Sequence, residues 1–234
     1  MQTVLRLLLR GDDPTAIAGA LHDEADRAAA VPGSRARVLE LQPGVASGTP
    51  HAAYMRGVPF EAALEIAVEE APLADAVDWA AGLGDRLGGL VDAAESYALA
   101  GREYVFSPGE SDTVLLVVIG RALTQSFEDH HRHWLDRHGW LVKPGADASG
   151  SGYRQFHADP KASSLAARSA GLGRHELEGI ALGLYPDPDF YLRVMSDAGR
   201  LAPILEDERR FIDPETSSPG LYRAVYAAAA SSAG

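Results

Sequence analysis

Five of the eight histidines in this 234-residue sequence fall between His130 and His157. Imidazoles change charge close to neutral pH, so a cluster of them is the first place to look for proton chemistry. The segment Phe127–Val142 contains four of them, and its spacing predicts a helix on which Phe127, His131, Trp134, His138 and Leu141 share one face. Leu135 and Val142 lie alongside, while Arg132, His133, Asp136 and Arg137 face away, which puts His133 in solvent. The run Tyr153-Arg-Gln-Phe-His157 follows as a strand, and alternation places Tyr153, Gln155 and His157 on one face with Arg154 and Phe156 on the other. Phe156 is the natural partner of the helix layer. The Tyr/Gln/His row is then expected to face the opposite way, into a cavity between sheets.

A phenol, an amide and an imidazole converging in a partly apolar pocket can bind a carbonyl or phenolic oxygen, polarise it and exchange a proton. His138, His157 and Tyr153 are the candidate catalytic residues, and Gln155, Trp134 and His131 the candidate substrate-binding ones. A metal is not expected: no His-x-x-x-His pair occurs, and only His130 with His133, completed by His157 or a carboxylate, could share one. No phosphate-binding glycine loop and no nucleophile elbow is present. The Gly82–Gly84 segment reads as helix packing or a cap, and Asp207, Glu208, Asp213 and Glu215 read as a solvated acidic face and cap set.

The elements that must position these groups occur in one order twice. Thr3–Leu9 (strand), Asp13–Ala30 (helix capped by Asp12 or Asp13), Ala36–Leu41 and Ala62–Glu69 (strands), Leu73–Leu87 (helix) and Ala98–Phe106 (strand) make β-α-β-β-α-β. Val114–Ile119, the helix Phe127–Val142 opened by Ser126 and stopped by Pro144-Gly145, Tyr153–His157, Glu178–Tyr185, a helical region Asp189–Glu208 broken near Gly199, and Leu221–Tyr226 repeat it. The tail from Ala227 is expected to fray. The fold class is therefore α+β: two tandem ferredoxin-like halves, 1–109 and 110–234, packed sheet to sheet within one chain. The run Thr113–Ile119 is apolar on both faces, as a strand covered on both sides must be.

Composition narrows the partners. A formal charge of −12 repels a polyphosphate backbone and an anionic membrane surface, so neither nucleic acid nor membrane is expected. The first ten residues are too short and too interrupted by Arg6 for a secretory or spanning segment. The absence of cysteine removes disulfides, thiolate metal sites and a cysteine nucleophile, and fits a cytoplasmic setting.

Trp134 four residues before His138, Gly139 and the apolar residues after it, and the Tyr153-x-Gln155-x-His157 row resemble the EthD-like family of dimeric α/β-barrel proteins. Glu206–Asp213 is similar to that family's closing helix and turn. The resemblance spans roughly Thr113–Tyr226, and the first half matches in element order only. It implies single ferredoxin-like domains that pair into a barrel, here fused, and a small-molecule role without nucleotide or flavin. Gly139-Trp140 and the histidines at 130 and 133 depart from the family pattern. The expected function is a cofactor-independent acid/base enzyme for an enolisable aromatic or polyketide-like molecule, and the alternative is a non-catalytic binder or accessory protein for an oxygenase. A homodimer is compatible with either.

Overall fold

The computed structural model describes residues 2–69 and 71–229. Its strands are β1 (Gln2–Leu9), β2 (Ser34–Leu41), β3 (Ala62–Glu69), β4 (Tyr97–Ser107), β5 (Thr113–Ile119), β6 (Gly152–Ala158), β7 (Gly179–Tyr185) and β8 (Ser218–Ala229). They close one antiparallel barrel in the order β1-β3-β2-β8-β5-β7-β6-β4. The first four come from the first half of the chain and the last four from the second, and β2–β8 and β4–β6 are the two seams. The expectation of two sheets packed face to face is thus corrected: the sheets join edge to edge, which leaves no strand edge unpaired. Ala227–Ala229, expected to fray, extend β8, and residues 230–234 of that tail lie outside the described residues.

The helices are α1 (Pro14–Ala29), α2 (Pro50–Tyr54), α3 (Leu73–Ala80), α4 (Leu83–Leu87), α5 (Phe127–His133), α6 (Gly139–Ser149), α7 (Pro160–Ala170), α8 (Pro188–Met195) and α9 (Ala198–Glu208), with a π-helical turn, Trp134–His138, joining α5 to α6. The predicted helix over 73–87 is split at Gly82, which sits at φ +67°. Pro144 does not stop the third-quarter helix but lies inside α6, whose end is Gly150 at φ +71°. The break expected near Gly199 falls at Ser196 and Asp197, where Asp197 caps α9. Neither α2 nor α7 was foreseen, although α7 carries its signals openly: the Asp159 side chain accepts from Ala162 N, Pro160 opens the first turn, and Gly171 adopts φ +73° after the last.

Strand alternation divides the apolar residues among three cores. On β5, Val114, Leu116 and Val118 fill the barrel, while Leu115, Val117 and Ile119 lie under α8 and α9, which accounts for the doubly apolar run. On β1, Leu5, Leu7 and Leu9 pack beneath α1 together with Ala162, Ala166 and Ala170 of α7. A helix from the second half therefore covers the sheet of the first. The reverse also holds: the β2–β3 connection, residues 42–61, crosses to the second half, with Gln42 N, Arg56 N and Gly57 N donating to the carbonyls of Leu221, Pro214 and Ser217 at 2.8, 2.8 and 3.0 Å.

The barrel interior is apolar at one end and ionic at the other. Arg6 is 2 % exposed and reaches Glu65 at 2.5 Å and Glu103 at 2.6 Å, with Phe156 stacked under its guanidinium. Arg37 (3.2 Å to Glu65) and Arg154 (3.4 Å to Glu103) complete the cluster. Burial opposes ionisation of Glu65, but Arg37 and Arg6 outweigh it and hold its carboxyl well below the usual range. A carboxyl with a depressed native pKa stabilises the fold above its unfolded value and loses that contribution as pH falls. Acid unfolding should accordingly set in below about pH 4. Glu103→Gln removes one pole of the cluster and should cost about 3–5 kcal/mol in urea unfolding, against about 0.5 kcal/mol or less for Arg132→Ala on the exposed face of α5. A loss under about 1 kcal/mol for Glu103→Gln would show that the cluster is not what holds the barrel end together.

Candidate active site

The site lies outside the barrel, between its β5–β7–β6 wall and the helices α5, α6, α8 and α9. This reverses the orientation read for β6. Phe156 points into the barrel beside Arg6, and Tyr153, Gln155 and His157 face the helix layer. The interior already has a partner for Phe156 in the Arg6 guanidinium, and Trp134 covers the polar row by stacking on His157 with ring centroids 4.2 Å apart.

Helix α9 brings the groups that organise the site. Asp207 and Glu208, expected to be solvated, are 3 % and 5 % exposed. Asp207 Oδ2 accepts from His133 Nε2 at 3.0 Å and from His138 Nδ1 at 3.1 Å, and Arg137 lies 3.3 Å from Oδ1. Residues five apart diverge on an α-helix but align on the wider π-helical turn, so the turn at 134–138 is what lets two imidazoles share one oxygen. This corrects the assignment of His133 to solvent. Burial works against the Asp207 carboxylate, yet the bonds from His138 and His133 outweigh it and hold its pKa down to about 2.

With Nδ1 engaged, His138 presents Nε2 to a cavity of about 70 Å³, 3.9 Å from Glu208 Oε1. The same Glu208 oxygen lies 3.2 Å from Nε2 of His51, from α2 of the first half. The first half is therefore not only a packing partner: it supplies an imidazole to the cavity wall. Burial disfavours the His51 imidazolium, but the Glu208 charge and hydrogen bond raise its pKa above the ordinary value. His51 Nδ1 and Glu208 Oε2 are buried without partners among the described residues. Tyr153 also lines the cavity, and its hydroxyl accepts from Gln155 Nε2 at 2.9 Å, which leaves its own proton for a ligand. Burial pushes the phenol pKa upward, so it stays a donor at neutral pH. Leu115, Val117, Ile204 and Phe211 make the remaining wall apolar.

Gln155 is held by Trp134 O at 3.1 Å and by His157 Nε2 at 3.0 Å, so it positions Tyr153 from behind. The structure does not bring His157 or His131 to the cavity. His157 packs against Gln155, Trp134 and His131, whose Nδ1 lies 2.7 Å from its own Nδ1, and borders the groove it shares with His131; burial with the neighbouring His131 and His130 lowers its pKa to about 2. His131 opens onto a separate groove with Leu73, Arg102, Tyr104 and Phe127, where Glu178 Oε2 is 3.1 Å from its Nε2. His130 donates from Nδ1 to Phe211 O at 3.0 Å, away from the partner of His133, so those two histidines share no metal position. Among the described residues no group of three or more His, Asp or Glu is arranged to hold a metal ion. A group the size of a flavin or a tetrapyrrole does not fit a cavity of about 70 Å³ with these walls in place. No helix among the described residues is long and apolar enough to cross a membrane.

Similarity to solved structures extends over nearly the whole chain. A protein described as a candidate monooxygenase from Lactobacillus acidophilus NCFM aligns with a TM-score of 0.55 at 10% identity, over 98% of this chain and 97% of that one. A variant chlorite dismutase from Candidatus Nitrospira defluvii aligns at 0.50 with 8% identity, over 94% and 90%, and a dye-decolorizing peroxidase from Bacteroides thetaiotaomicron VPI-5482 at 0.50 with 11% identity, over 94% and 92%. No curated protein matches the chain in sequence. At these identities the likeness shows the fold alone, a mixed α/β structure with a closed eight-stranded barrel. Residues 123–215 match the family model of the EthD domain, and the EthD resemblance read from Trp134, His138 and the Tyr153-x-Gln155-x-His157 row holds over that span. The span includes Asp207 and Glu208 but not His51.

The ionic pairs of the site give opposite pH signatures. Asp207, with a depressed native pKa, contributes stability that is present above its unfolded value of about 4 and is lost as pH falls toward 2. His51, with a raised one, contributes stability that is present below its unfolded value of about 6.5 and is lost as pH rises through the native one. Urea midpoints measured across pH should show Asp207→Asn flattening the acid limb and His51→Gln flattening the limb above neutrality, each leaving the other limb intact. Unchanged limbs in the variants would mean that these pairs are not formed in solution.

Proposed function

We propose that the chain is an acid–base catalyst acting on a small molecule that carries a carbonyl or phenolic oxygen. The observation that carries this reading is the His138 imidazole, fixed by Asp207 so that Nε2 faces a small, largely apolar cavity beside the hydroxyl of Tyr153. A substrate oxygen would accept the Tyr153 proton in a hydrogen bond while His138 Nε2 takes a proton from the adjacent carbon, and the electron pair would move onto that oxygen. Asp207 would stabilise the imidazolium formed, as a buried carboxylate on the far nitrogen does in other acid–base sites. His51 and Glu208 would form the opposite wall, with Glu208 Oε2 free to accept a hydrogen bond from the substrate.

His157, a catalytic candidate in the sequence, becomes a positioning residue in this reading, acting through Gln155 on Tyr153. The small volume favours a substrate whose reacting end, not the whole of a polycyclic skeleton, enters the cavity, and no comparison points to a cyclase or a lyase. Each half of the barrel is read as a ferredoxin-like unit, because β4-β1-β3-β2 and β8-β5-β7-β6 follow the same order within their halves. A barrel closed within one chain has no need of a second copy to complete it.

The test is deuterium uptake at carbon, followed by NMR in D₂O with a panel of small enolisable ketones, keto acids and phenols. At least one should exchange under catalysis, with kcat/KM lowered about 10²–10⁴-fold by His138→Gln. Tyr153→Phe should lower kcat/KM by about tenfold or more, as loss of one hydrogen bond to the developing oxyanion does. Exchange unaffected by His138→Gln would sink the assignment, and saturable binding without exchange across the panel would leave the binding-protein alternative in its place.

A further inference from the structure

Arg200 is the one cation in the cavity wall that has no counter-ion among the described residues. It lines the cavity from the first turn of α9, is half-buried, makes no side-chain hydrogen bond or salt bridge to another described residue, and its Nε is buried without a partner. The acids of α9 do not serve it: Asp207 pairs with His133, His138 and Arg137, Glu208 pairs with His51, and Asp197 caps the backbone at Arg200 N. A partly desolvated guanidinium with free donors, in a wall whose only carboxylate, Glu208, is taken by His51, lacks an anion of its own.

The position of Arg200 is built. Its guanidinium lies against the backbone of Gly145 in α6, where an added Cβ would stand 2.6 Å from Nε and 3.0 Å from Cζ and Nη2. Only a glycine leaves that space. Arg200, Ile204 and Glu208 recur at four-residue intervals, so one face of α9 presents a cation, an apolar residue and the acid–base end in line, with Arg200 and Glu208 separated by about 12 Å along the axis. The Arg200 charge acts on Tyr185, which lines the cavity next to Tyr153.

The geometry points to a small carboxylic acid as the ligand: its carboxylate on Arg200, a short apolar stem along Ile204 and Leu201, and its far end between Tyr153, His138 and Glu208. This rests on the cavity described above and narrows the substrate class of the proposed chemistry. It does not depend on that chemistry taking place.

The probe pair is butanoate and butanamide, which share a shape and differ in charge. Titration of the full-length protein would be followed through the Trp134 indole N–H resonance, since that ring lines the cavity. Butanoate should bind about tenfold or more tightly than butanamide, the difference between a charge-assisted and a neutral hydrogen-bonding pair. Arg200→Met should abolish that preference. Gly145→Ala, which keeps the arginine but pushes it aside, should weaken butanoate and leave butanamide unchanged. His138→Gln should keep the preference, so that a failed acid–base mechanism is distinguished from a failed carboxylate site. Equal affinity for the two probes, a preference that survives Arg200→Met, or no response of Trp134 to either probe would overturn the inference.

Discussion

Closing eight strands into a ring is the constraint from which the rest of the molecule follows. Once β2 meets β8 and β4 meets β6, every strand residue must face either the barrel or the helices. The interior of so small a barrel is filled by side chains and has room for packing and for charge pairs but not for a substrate. Arg6, clamped between Glu65 and Glu103, occupies the space in which a ligand between two sheets had been expected. The cavity lies instead on the outer surface of the second-half sheet, where the helices stand far enough off to leave one. The inversion of β6 is the local expression of this: Phe156 goes inside because a buried guanidinium is there to receive it.

The second organising feature is the π-helical turn. A regular helix through Phe127–Ser149 would place His133 and His138 on different sides. The extra residue in the turn brings both to Asp207, and Gly139 lets the helix lie against Phe106, where any side chain would collide with the ring. Irregular helical turns are not favoured by propensity, and this one persists because two imidazoles and the bond from Gln155 to Trp134 O reward it. The catalytic reading of His138 depends on this turn more than on any property of the residue itself.

This also marks how far the sequence could be read. Alternation and caps were sufficient to locate all eight strands, and the histidine density drew attention to the helix that borders the cavity. The Trp134, His138 and Tyr153 side chains line one cavity, on the helix side of β6 and not between sheets where alternation had pointed. What was illegible is whatever depends on register across the tertiary structure. An acidic pair such as Asp207 and Glu208 has the same appearance in sequence whether solvated or buried, and its partners lie some 70 residues upstream for His133 and His138 and 157 for His51. The helical register of 3.6 residues assumed for His133 fails at a π turn that no local signal announces. By contrast α7 was legible: Asp159, Pro160 and Gly171 mark both its ends, and only the expectation of a plain β-α-β-β-α-β order obscured it.

The two halves are joined by more than their seams, because each covers the other's sheet. Helix α7 leaves the second half to pack beneath the outer layer of the first, and the 42–61 connection leaves the first half to close over the second, delivering His51 against Glu208. Residues 110–229 in isolation would expose Ala162, Ala166 and Ala170 and would lack the imidazole that pairs with Glu208. A carboxylate buried without that partner would have to take up a proton or water, and the cavity would lose its definition. The crossing segments therefore do more than cover apolar surface. They fix one arrangement of the two sets of four strands, so that His51, from the first part of the chain, reaches a cavity whose other polar groups come from the second.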